Sequence, residues 1–332
     1  MLIFCRNDLT AAQRDAILTA ARGAGYTPTV LGAVRIALHG AGDLTALQGL
    51  PGIDRIEPLP TSPQLVCEEG RRTVRVGPVE IGPGFVVAAG PCAVESREQL
   101  LPLARRVKAA GGTLLRGGAY KPRTSPYSFR GLGELGLEIL AEARAETGLP
   151  IVTEVLDTRD VEALAAVADL IQIGTRNMMN YPLLVEVGRT GKPVLLKRGM
   201  GATIDETIHA AEYLLVEGAS GVVFCERGIR THETSVRNTL DVAAVPLLHQ
   251  LTNLPVFVDP SHAVGHSDLV PAMARAGAAV GADGILIEIH DAPDEALCDG
   301  RQAVDPAALP ALIENLSKIS ALAKAAEAQE SI

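Results

Sequence analysis

The sequence predicts an α/β protein, a (β/α)8 TIM barrel preceded by a small ferredoxin-like α+β domain. Eight short apolar runs recur between residues 85 and 290, and Ala- and Leu-rich segments with helical spacing separate them. Nearly every run ends in a charged or metal-competent residue, as expected where the carboxyl ends of barrel strands carry the chemistry. The runs are Phe85–Cys92, Leu114–Arg116, Ile151–Glu154, Leu170–Arg176, Pro193–Lys197, Gly221–Arg227, Pro255–His262 and Gly284–Glu288.

Residues 1–65 have a different pattern, which predicts a separate small domain. The expected elements follow the order βαββαβ, which is that of a ferredoxin-like domain. They are a strand at Leu2–Cys5, a helix over Ala11–Ala24 capped by Thr10, two strands within Thr29–Leu38, a second helix at Asp43–Leu50 and a last strand at Ile53–Leu59. The Pro-rich segment Pro58–Pro63 is the expected linker to a barrel over residues 66–332. A β-hairpin at Arg71–Ile81 is expected to close the bottom of that barrel.

Bulk composition limits the possible function. The chain has 332 residues, enough for a barrel of about 250 residues plus a small domain. Its net charge is −9 and it has no long basic stretch, which argues against a nucleic-acid partner. Five scattered cysteines suggest no disulfide framework and favour a cytoplasmic location. No apolar run is long enough to cross a bilayer, so a membrane association is not expected.

Four potential metal ligands follow neighbouring strands of the predicted barrel. Cys92 ends the first strand, His262 follows the seventh, Glu288 lies in the eighth and Asp299 lies in the loop after it. Each residue alone has a simpler explanation, since a cysteine at a strand end is usually a packing residue. Together, a thiolate, an imidazole and two carboxylates suit Mn, Fe, Co or Zn better than Mg or Ca.

A set of cations is expected at the same mouth. Arg116, Arg176, Lys197 and Arg227 each end a predicted strand, and Lys121, Arg123 and Thr124 lie in one loop. Arginine suits bidentate binding of phosphate and carboxylate, so the set predicts one or two substrates that carry these groups. The alternative is a ring of surface salt bridges with Glu154 and Glu226 as the partners.

At these residues the chain resembles the 3-deoxy-D-arabino-heptulosonate 7-phosphate (DAHP) synthases. The resemblance covers most of residues 70–305 and is closest to the subgroup with a short barrel and an N-terminal ferredoxin-like domain. The stretches that carry it are Ala89–Ser96, Arg116–Pro126, Ile173–Asn177, Leu196–Gly199 and Asp259–His262.

The resemblance implies a reaction and a role for each candidate residue. Phosphoenolpyruvate condenses with erythrose 4-phosphate and water to give DAHP and phosphate, the first step of the shikimate pathway and of aromatic amino-acid biosynthesis. A divalent metal on the four ligands polarises the aldehyde, Arg123 and Thr124 bind erythrose 4-phosphate, Lys197 is a candidate proton donor and Glu154 orients water. The expected phosphoenolpyruvate ligands are Arg116, Lys121, Arg176, Lys197 and Arg227.

Two further expectations and two alternative functions remain. The resemblance implies a homo-oligomer, expected to be a tetramer, and suggests that residues 1–65 bind an aromatic amino acid as a feedback effector, the alternative being a domain that only stabilises the oligomer. The related 3-deoxy-D-manno-octulosonate 8-phosphate synthases are one alternative function, although they normally carry a Lys-Ala-Asn-Arg-type loop where this chain has Lys121–Thr124. A barrel that senses phosphorylated metabolites without catalysis is another.

One local departure from the family pattern concerns the fourth ligand. Relatives often read Ser-Asp-Gly-Pro-Gln where this chain has Cys298-Asp299-Gly300-Arg301-Gln302. Cys298 is therefore expected to lie near Cys92 at the barrel mouth. Among several cations, both thiols are expected to have lowered pKa values when no metal is bound.

Overall fold

The computed structural model describes residues 1–67 and 73–330. In the N-terminal part, strand β1 (Leu2–Cys5), helix α1 (Ala11–Gly23), and strands β2 (Thr27–Leu31), β3 (Arg35–His39) and β4 (Ile53–Glu57) form one small unit. Its antiparallel sheet has the order β2-β3-β1-β4, which is the ferredoxin-like arrangement expected from the sequence. Helix α1 begins with a capping box between Thr10 and Gln13, as its N-terminal signal predicts.

The prediction of a second α-helix in this unit, at Asp43–Leu50, is wrong in helix type and in length. Within residues 43–50 only a four-residue 3-10 helix forms, at Leu44–Leu47. Asp43 caps it through the Thr45 backbone N–H, but the chain is extended again at Gln48, and Gly49 has a φ of +77°. Pro51 follows after Leu50, so the segment is too short for a full α-helix.

A hairpin of strands β5 (Val74–Val76) and β6 (Val79–Ile81) lies under the barrel, as expected. Val74, Val76 and Ile81 pack in one buried cluster with inward-facing barrel residues such as Leu114 and Phe257. The hairpin therefore closes the amino-terminal end of the barrel. Arg71, with which the predicted hairpin begins, lies outside the described residues.

The remaining strands form a closed parallel barrel, in which each strand pairs with its neighbours in the chain and the last pairs with the first. Their residues are buried on both sides, as is usual for parallel sheets covered by helices. The strands are β7 (Val86–Gly90), β8 (Leu114–Arg116), β9 (Ile151–Val155), β10 (Leu170–Ile173), β11 (Val194–Lys197), β12 (Val222–Glu226), β13 (Val256–Val258) and β14 (Gly284–Glu288).

Helices cover the outside of the barrel between these strands. The last one, α10 (Leu309–Glu330), packs beside α9 (Val270–Ala279) and buries Leu309, Leu312 and Leu316. None of the helices in the described part of the chain is long and apolar enough to cross a membrane. They are α2 (Arg97–Ala109), α3 (Glu134–Thr147), α4 (Val161–Val167), α5 (Tyr181–Arg189), α6 (Ile204–Glu217), α7 (Ala244–Leu251), α8 (Pro260–Val264), α9 (Val270–Ala279) and α10 (Leu309–Glu330).

Some predicted strands end earlier than expected, so their last residues belong to the loops. Strand β10 ends at Ile173, and Arg176 lies in a 3-10 helix at Thr175–Asn177. Gly174 separates the two, and a Cβ at this glycine would lie 1.8 Å from Oε1 of Glu154. Arg227 directly follows β12, and His262 lies in the short helix α8. These side chains still reach the mouth at the carboxyl ends of the strands.

Candidate metal and anion site

Four side chains converge where β7, β13 and β14 end. The ligand atoms of Cys92, His262, Glu288 and Asp299 all lie within 4.8 Å of one another. Nε2 of His262 is 3.2 Å from Oε1 of Glu288, and Sγ of Cys92 is 3.5 Å from Oδ2 of Asp299. The four residues predicted as ligands are thus within reach of one ion, and this mixed donor set fits a divalent transition metal.

The two carboxylates of this cluster are held in their charged form. Burial alone would raise the pKa of Glu288, but His262 and Arg116 outweigh it, and the pKa falls below its ordinary value. Burial likewise opposes ionisation of Asp299, but Arg237 and His262 lower its pKa to about 2. Both groups are therefore ready to bind a cation at neutral pH.

Asp259 orients His262, a role that the sequence motif did not reveal. This carboxylate is fully buried, and its Oδ2 is 2.6 Å from Nδ1 of His262 while its Oδ1 accepts the His262 backbone N–H. Hydrogen bonding at Nδ1 leaves Nε2 facing the other ligands. Burial lowers the pKa of His262, which favours the neutral imidazole that a metal requires.

Lys197 shares the same carboxylate. Its Nζ is 2.5 Å from Oδ2 of Asp259, and both side chains are buried. Burial opposes ionisation of Asp259, but His262 and Lys197 reverse the effect and hold its pKa well below the ordinary value. A single charged oxygen therefore links the candidate proton donor to a candidate metal ligand.

Gln302 and Arg237, which no sequence pattern indicates, connect the carboxylates of Glu288 and Asp299. Nε2 of the buried Gln302 donates to Oε2 of Glu288 at 2.5 Å, and Nη1 of Arg237 donates to Oε1 of Gln302 at 2.8 Å. Nη1 of Arg237 is also 3.3 Å from Oδ2 of Asp299. Among the described non-glycine residues Asp299 alone has a positive φ, at 53°, a strained conformation that such contacts help to hold.

A cavity of about 530 Å³ opens beside this cluster, and His262 and Asp299 form part of its wall. Six of the seven predicted substrate-binding residues line it, together with Glu154. Arg230, Arg237, Gln172 and Asn238 also line it, and no sequence pattern had pointed to these four. The six predicted residues are Lys121, Arg123, Thr124, Arg176, Lys197 and Arg227.

Arg116 is the predicted substrate-binding residue that does not line the cavity. Its Nη1 donates to Oε1 of Glu288 at 2.7 Å and to the carbonyl oxygen of Pro91 at 2.8 Å. Burial disfavours the guanidinium charge, but Glu288 and Cys92 outweigh it and raise the pKa of Arg116. Among the described residues, its buried Nε has no hydrogen-bond partner. Arg116 thus contacts a candidate metal ligand, and its proposed contact with substrate stays a prediction.

The salt-bridge alternative does not fit the geometry of the cavity. Glu226 pairs with Arg198 at 2.9 Å, and Glu154 accepts a hydrogen bond from Gln172 at 3.2 Å. In the part of the chain that the structure describes, neither Arg176 nor Arg227 forms a salt bridge, although both line the cavity. Cations without carboxylate partners in one concave site favour an anionic ligand.

Cys298 lies beside the cluster, as its position next to Asp299 suggests. Its Sγ is 3.0 Å from Sγ of Cys92 and 2.8 Å from Nη1 of Arg123. The hydrogen bond between the two thiols lowers the pKa of Cys298. The prediction that the pKa of Cys92 is also lowered is wrong. The same hydrogen bond and burial raise the pKa of its thiol well above the ordinary value.

Comparison with known proteins assigns this barrel to a protein family. A family model described as the DAHP synthetase I family matches residues 71–325. This chain belongs to the DAHP synthetase I family. It is 49% identical over 248 residues to the phospho-2-dehydro-3-deoxyheptonate aldolase of Thermotoga maritima, and the match covers 74% of this chain and 73% of that protein. The barrel fold, the family and the enzyme class expected from the sequence are confirmed.

Two solved structures and a further relative extend this family comparison. A crystal structure of the Thermotoga maritima DAHP synthase has a TM-score of 0.75 at 39% identity and covers 97% of each chain. A truncated form of the Thermotoga enzyme has a TM-score of 0.71 at 44% identity and covers 76% of this chain and 93% of its own. The 2-dehydro-3-deoxyphosphooctonate aldolase of Geobacter sulfurreducens is 31% identical and covers 76% of this chain and 99% of that protein.

Proposed function

We propose that this member of the DAHP synthetase I family condenses phosphoenolpyruvate with erythrose 4-phosphate and water, releasing DAHP and phosphate, in the cavity at the carboxyl ends of the barrel strands. The main support for this proposal is the cavity itself. In it, Arg176 and Arg227, which have no carboxylate partner among the described residues, lie near the cluster of four candidate metal ligands. Both substrates are anionic, and one carries the aldehyde that must be activated. The 49% identity to the Thermotoga enzyme supports the same reaction.

Cys92, His262, Glu288 and Asp299 are proposed to hold a divalent metal, which we expect to be Mn, Fe, Co or Zn. When bound there, the metal supplies Lewis-acid polarisation of the aldehyde oxygen of erythrose 4-phosphate. Asp259 fixes the ring of His262, and Arg237 with Gln302 positions the two carboxylates. The protein thereby presents its ligands in a fixed arrangement before any substrate arrives.

We assign the cationic side chains of the cavity to the two substrates in two groups. We assign Lys121, Arg176, Lys197 and Arg227 to the phosphate and carboxylate of phosphoenolpyruvate, with Arg116 behind them on Glu288. Arg123 and Thr124 are assigned to erythrose 4-phosphate, because they line the cavity and their loop, Lys121–Thr124, resembles that of the DAHP synthases and not that of the octulosonate synthases. Bound anions then offset the repulsion among these cations.

Two further groups are proposed to handle protons and water. Lys197 is proposed to deliver a proton from Nζ, and Asp259 holds that ammonium group in place. Glu154 is proposed to orient the attacking water, since its carboxylate lines the cavity and is fixed by Gln172. General acid–base residues of this kind must lie within hydrogen-bond reach of the reacting atoms.

The proposal for the remainder of the chain is regulatory. We propose that the N-terminal ferredoxin-like domain binds an aromatic amino acid, that the enzyme assembles as a homo-oligomer, expected to be a tetramer, and that it works in the cytoplasm. The domain's apolar core, which includes Ile3, Ile17 and Leu38, is distinct from that of the barrel, and this supports an independent unit. The place of the boundary, set at residue 65 from the sequence, is part of this proposal.

The test of function is an aldose comparison. The purified chain should consume phosphoenolpyruvate and release phosphate with erythrose 4-phosphate, at a kcat/KM at least 100 times that with arabinose 5-phosphate. Lys197→Ala should lose the activity, whereas Lys318→Ala, on the exposed face of α10, should keep it. Preference for arabinose 5-phosphate would assign the octulosonate reaction instead. Binding of both phosphates without turnover would favour a sensor.

A further inference from the structure

Glu95 connects the loop after the first barrel strand to the loop after the last one. It lies three residues beyond Cys92, and its Oε1 accepts the backbone N–H of Leu297 at 2.9 Å. Leu297 lies two residues before Asp299. This hydrogen bond therefore joins two segments of the chain, each of which carries a candidate metal ligand.

The backbone of Glu95 is held by helix α2. Its N–H donates to Oε1 of Gln99 at 3.0 Å, and Nε2 of Gln99 donates to the carbonyl oxygen of Ala93 at 3.2 Å. Gln99 lies in the first turn of α2, which packs on the outside of the barrel. The Glu95 side chain is 12% exposed, so it is a nearly buried carboxylate on a fixed backbone.

The other carboxylate oxygen of Glu95 faces His290. Nδ1 of His290 accepts the backbone N–H of Ala292 at 3.0 Å, so the neutral ring carries its proton on Nε2. This Nε2 is buried, has no hydrogen-bond partner among the described residues and lies 3.7 Å from Oε2 of Glu95. A buried donor without a partner is costly, and a shift of about 1 Å would bring these two atoms to hydrogen-bond distance.

The loop that Glu95 contacts needs such support. Its regular structure before Asp299 is a single 3-10 turn at Pro293–Glu295. Asp299 itself has a φ of 53°, a conformation that a non-glycine residue keeps only where its surroundings hold it. The hydrogen bond from Leu297 to Glu95 fixes the chain just before this strained residue.

We propose that Glu95 is a positioning residue that sets the distance between Cys92 and Asp299, and that His290 holds its carboxylate. Sγ of Cys92 and Oδ2 of Asp299 are 3.5 Å apart. In the described part of the chain, neither Glu95 nor His290 lines the substrate cavity, so the contact acts on the ligands and not on the substrates. The effect on metal binding rests on the proposed ligand set, whereas the connection between the two loops does not.

Metal titrations of the full-length chain with Mn²⁺ and Co²⁺ test this role. Glu95→Ala should bind both ions about 10–100-fold more weakly than wild type. Glu95→Gln should lose less affinity, because its amide oxygen can still accept the Leu297 N–H. Glu98→Gln, an exposed carboxylate on α2, is the matched control, and Leu297→Ala keeps the backbone donor, so both should bind as wild type does. Wild-type affinity in Glu95→Ala would overturn the proposal.

A double-mutant cycle separates positioning from a general loss of stability. If Glu95 acts through Asp299, adding Glu95→Ala to Asp299→Ala should change Co²⁺ affinity by less than about twofold. In Glu95→Ala saturated with Co²⁺, the thiolate-to-cobalt absorption band should persist, because Cys92 still binds, while the d–d bands should approach those of Asp299→Ala. Fully additive losses of affinity would give Glu95 a general structural role and refute the positioning role.

Hydrogen exchange in the chelated protein tests the connection between the loops without a metal. Peptides that cover residues 293–300 should exchange at least about fivefold faster in Glu95→Ala than in wild type or Glu98→Gln. Unchanged exchange of these peptides would show that Glu95 does not hold the loop. If Asp299→Ala kept the affinity and the Co²⁺ spectrum of wild type, the ligand set would be refuted, and the exchange result would then decide the connection between the loops by itself.

Discussion

Lys197 and His262 share one oxygen atom, Oδ2 of Asp259, at 2.5 Å from Nζ and 2.6 Å from Nδ1. Asp259 is fully buried, so its charge is compensated only by the groups around it. The arrangement couples the position of the candidate proton donor to that of a candidate metal ligand. Loss of this carboxylate should affect both functions together.

Asp259→Asn should lower kcat by at least 100-fold and weaken Mn²⁺ binding by about 10–100-fold. The amide keeps the shape of the carboxylate but loses the charge that holds Lys197 and His262. Steady-state kinetics and competition with a metal chelator measure the two effects. Asp241→Asn is the matched control, because Asp241 pairs with Arg198 and is absent from the cavity wall. A variant with normal metal affinity and normal kcat would refute the shared role.

Metal binding should release about one proton at neutral pH. The pKa of Cys92 is raised, so its thiol keeps the proton until a metal replaces it. His262 has a lowered pKa and is already neutral, and the lowered pKa values of Glu288 and Asp299 leave both carboxylates ionised. The apparent affinity should therefore rise about tenfold per pH unit between about pH 7 and pH 8.

Calorimetry in buffers with different ionisation enthalpies counts the released protons directly. Cys92→Ala should bind Mn²⁺ more weakly and release close to none. If wild type releases no proton, Cys92 does not enter the ligand set as a thiolate.

The main chemistry of this site is readable in the sequence, because a parallel barrel brings the ends of all its strands to one mouth. Cys92, Glu288 and Lys197 are examples, since each lies at or just beyond a strand end. Arg237 and Gln302 are different. Their importance depends on contacts between two loops 65 residues apart, and no local pattern encodes that distance. Likewise, the pairing of Arg116 with Glu288 could not be foreseen from the position of either residue alone.

Gln302 gives the next prediction. Gln302→Glu should weaken Mn²⁺ binding by about 10–100-fold, because it replaces the N–H donor to Glu288 with a second carboxylate. Gln302→Ala should weaken it as well, by leaving Glu288 and Arg237 without their shared partner. Arg301→Ala changes the exposed neighbouring side chain and should leave affinity unchanged. If all three variants bind Mn²⁺ as tightly as the wild type does, the Gln302 contact does not position Glu288.

Arg123 should serve the aldose and not phosphoenolpyruvate. Arg123→Ala should raise KM for erythrose 4-phosphate by at least tenfold and KM for phosphoenolpyruvate by less than threefold, because charge-assisted contacts to phosphate are lost on one substrate only. Arg176→Ala, on the same cavity wall, should show the opposite ratio. Initial rates with each substrate varied in turn measure both constants. An equal rise of the two KM values would mean that the loop contacts both substrates.

The last prediction concerns the N-terminal domain and where it ends. Leu65 and Val66 belong to the core of the barrel, and their backbone N–H groups donate to the carboxylate of Glu212 on α6. A cut after residue 65 therefore removes part of the barrel's packing, whereas a cut after residue 61 keeps it. Deletion of residues 1–61 should leave an active barrel, and deletion of 1–65 should lower Tm by a further few degrees.

The same deletion tests regulation. If residues 1–61 hold the effector site, the intact enzyme should bind tyrosine or phenylalanine and lose activity, and the 1–61 deletion should do neither. Calorimetry with each amino acid at millimolar concentration measures binding without reference to activity. Glu212→Gln in the intact chain weakens the attachment of Leu65 and Val66 but keeps the whole domain, so it should retain binding. Absence of binding to the intact chain would leave the domain with a purely structural role, because inhibition requires a preferred interaction with one state of the enzyme.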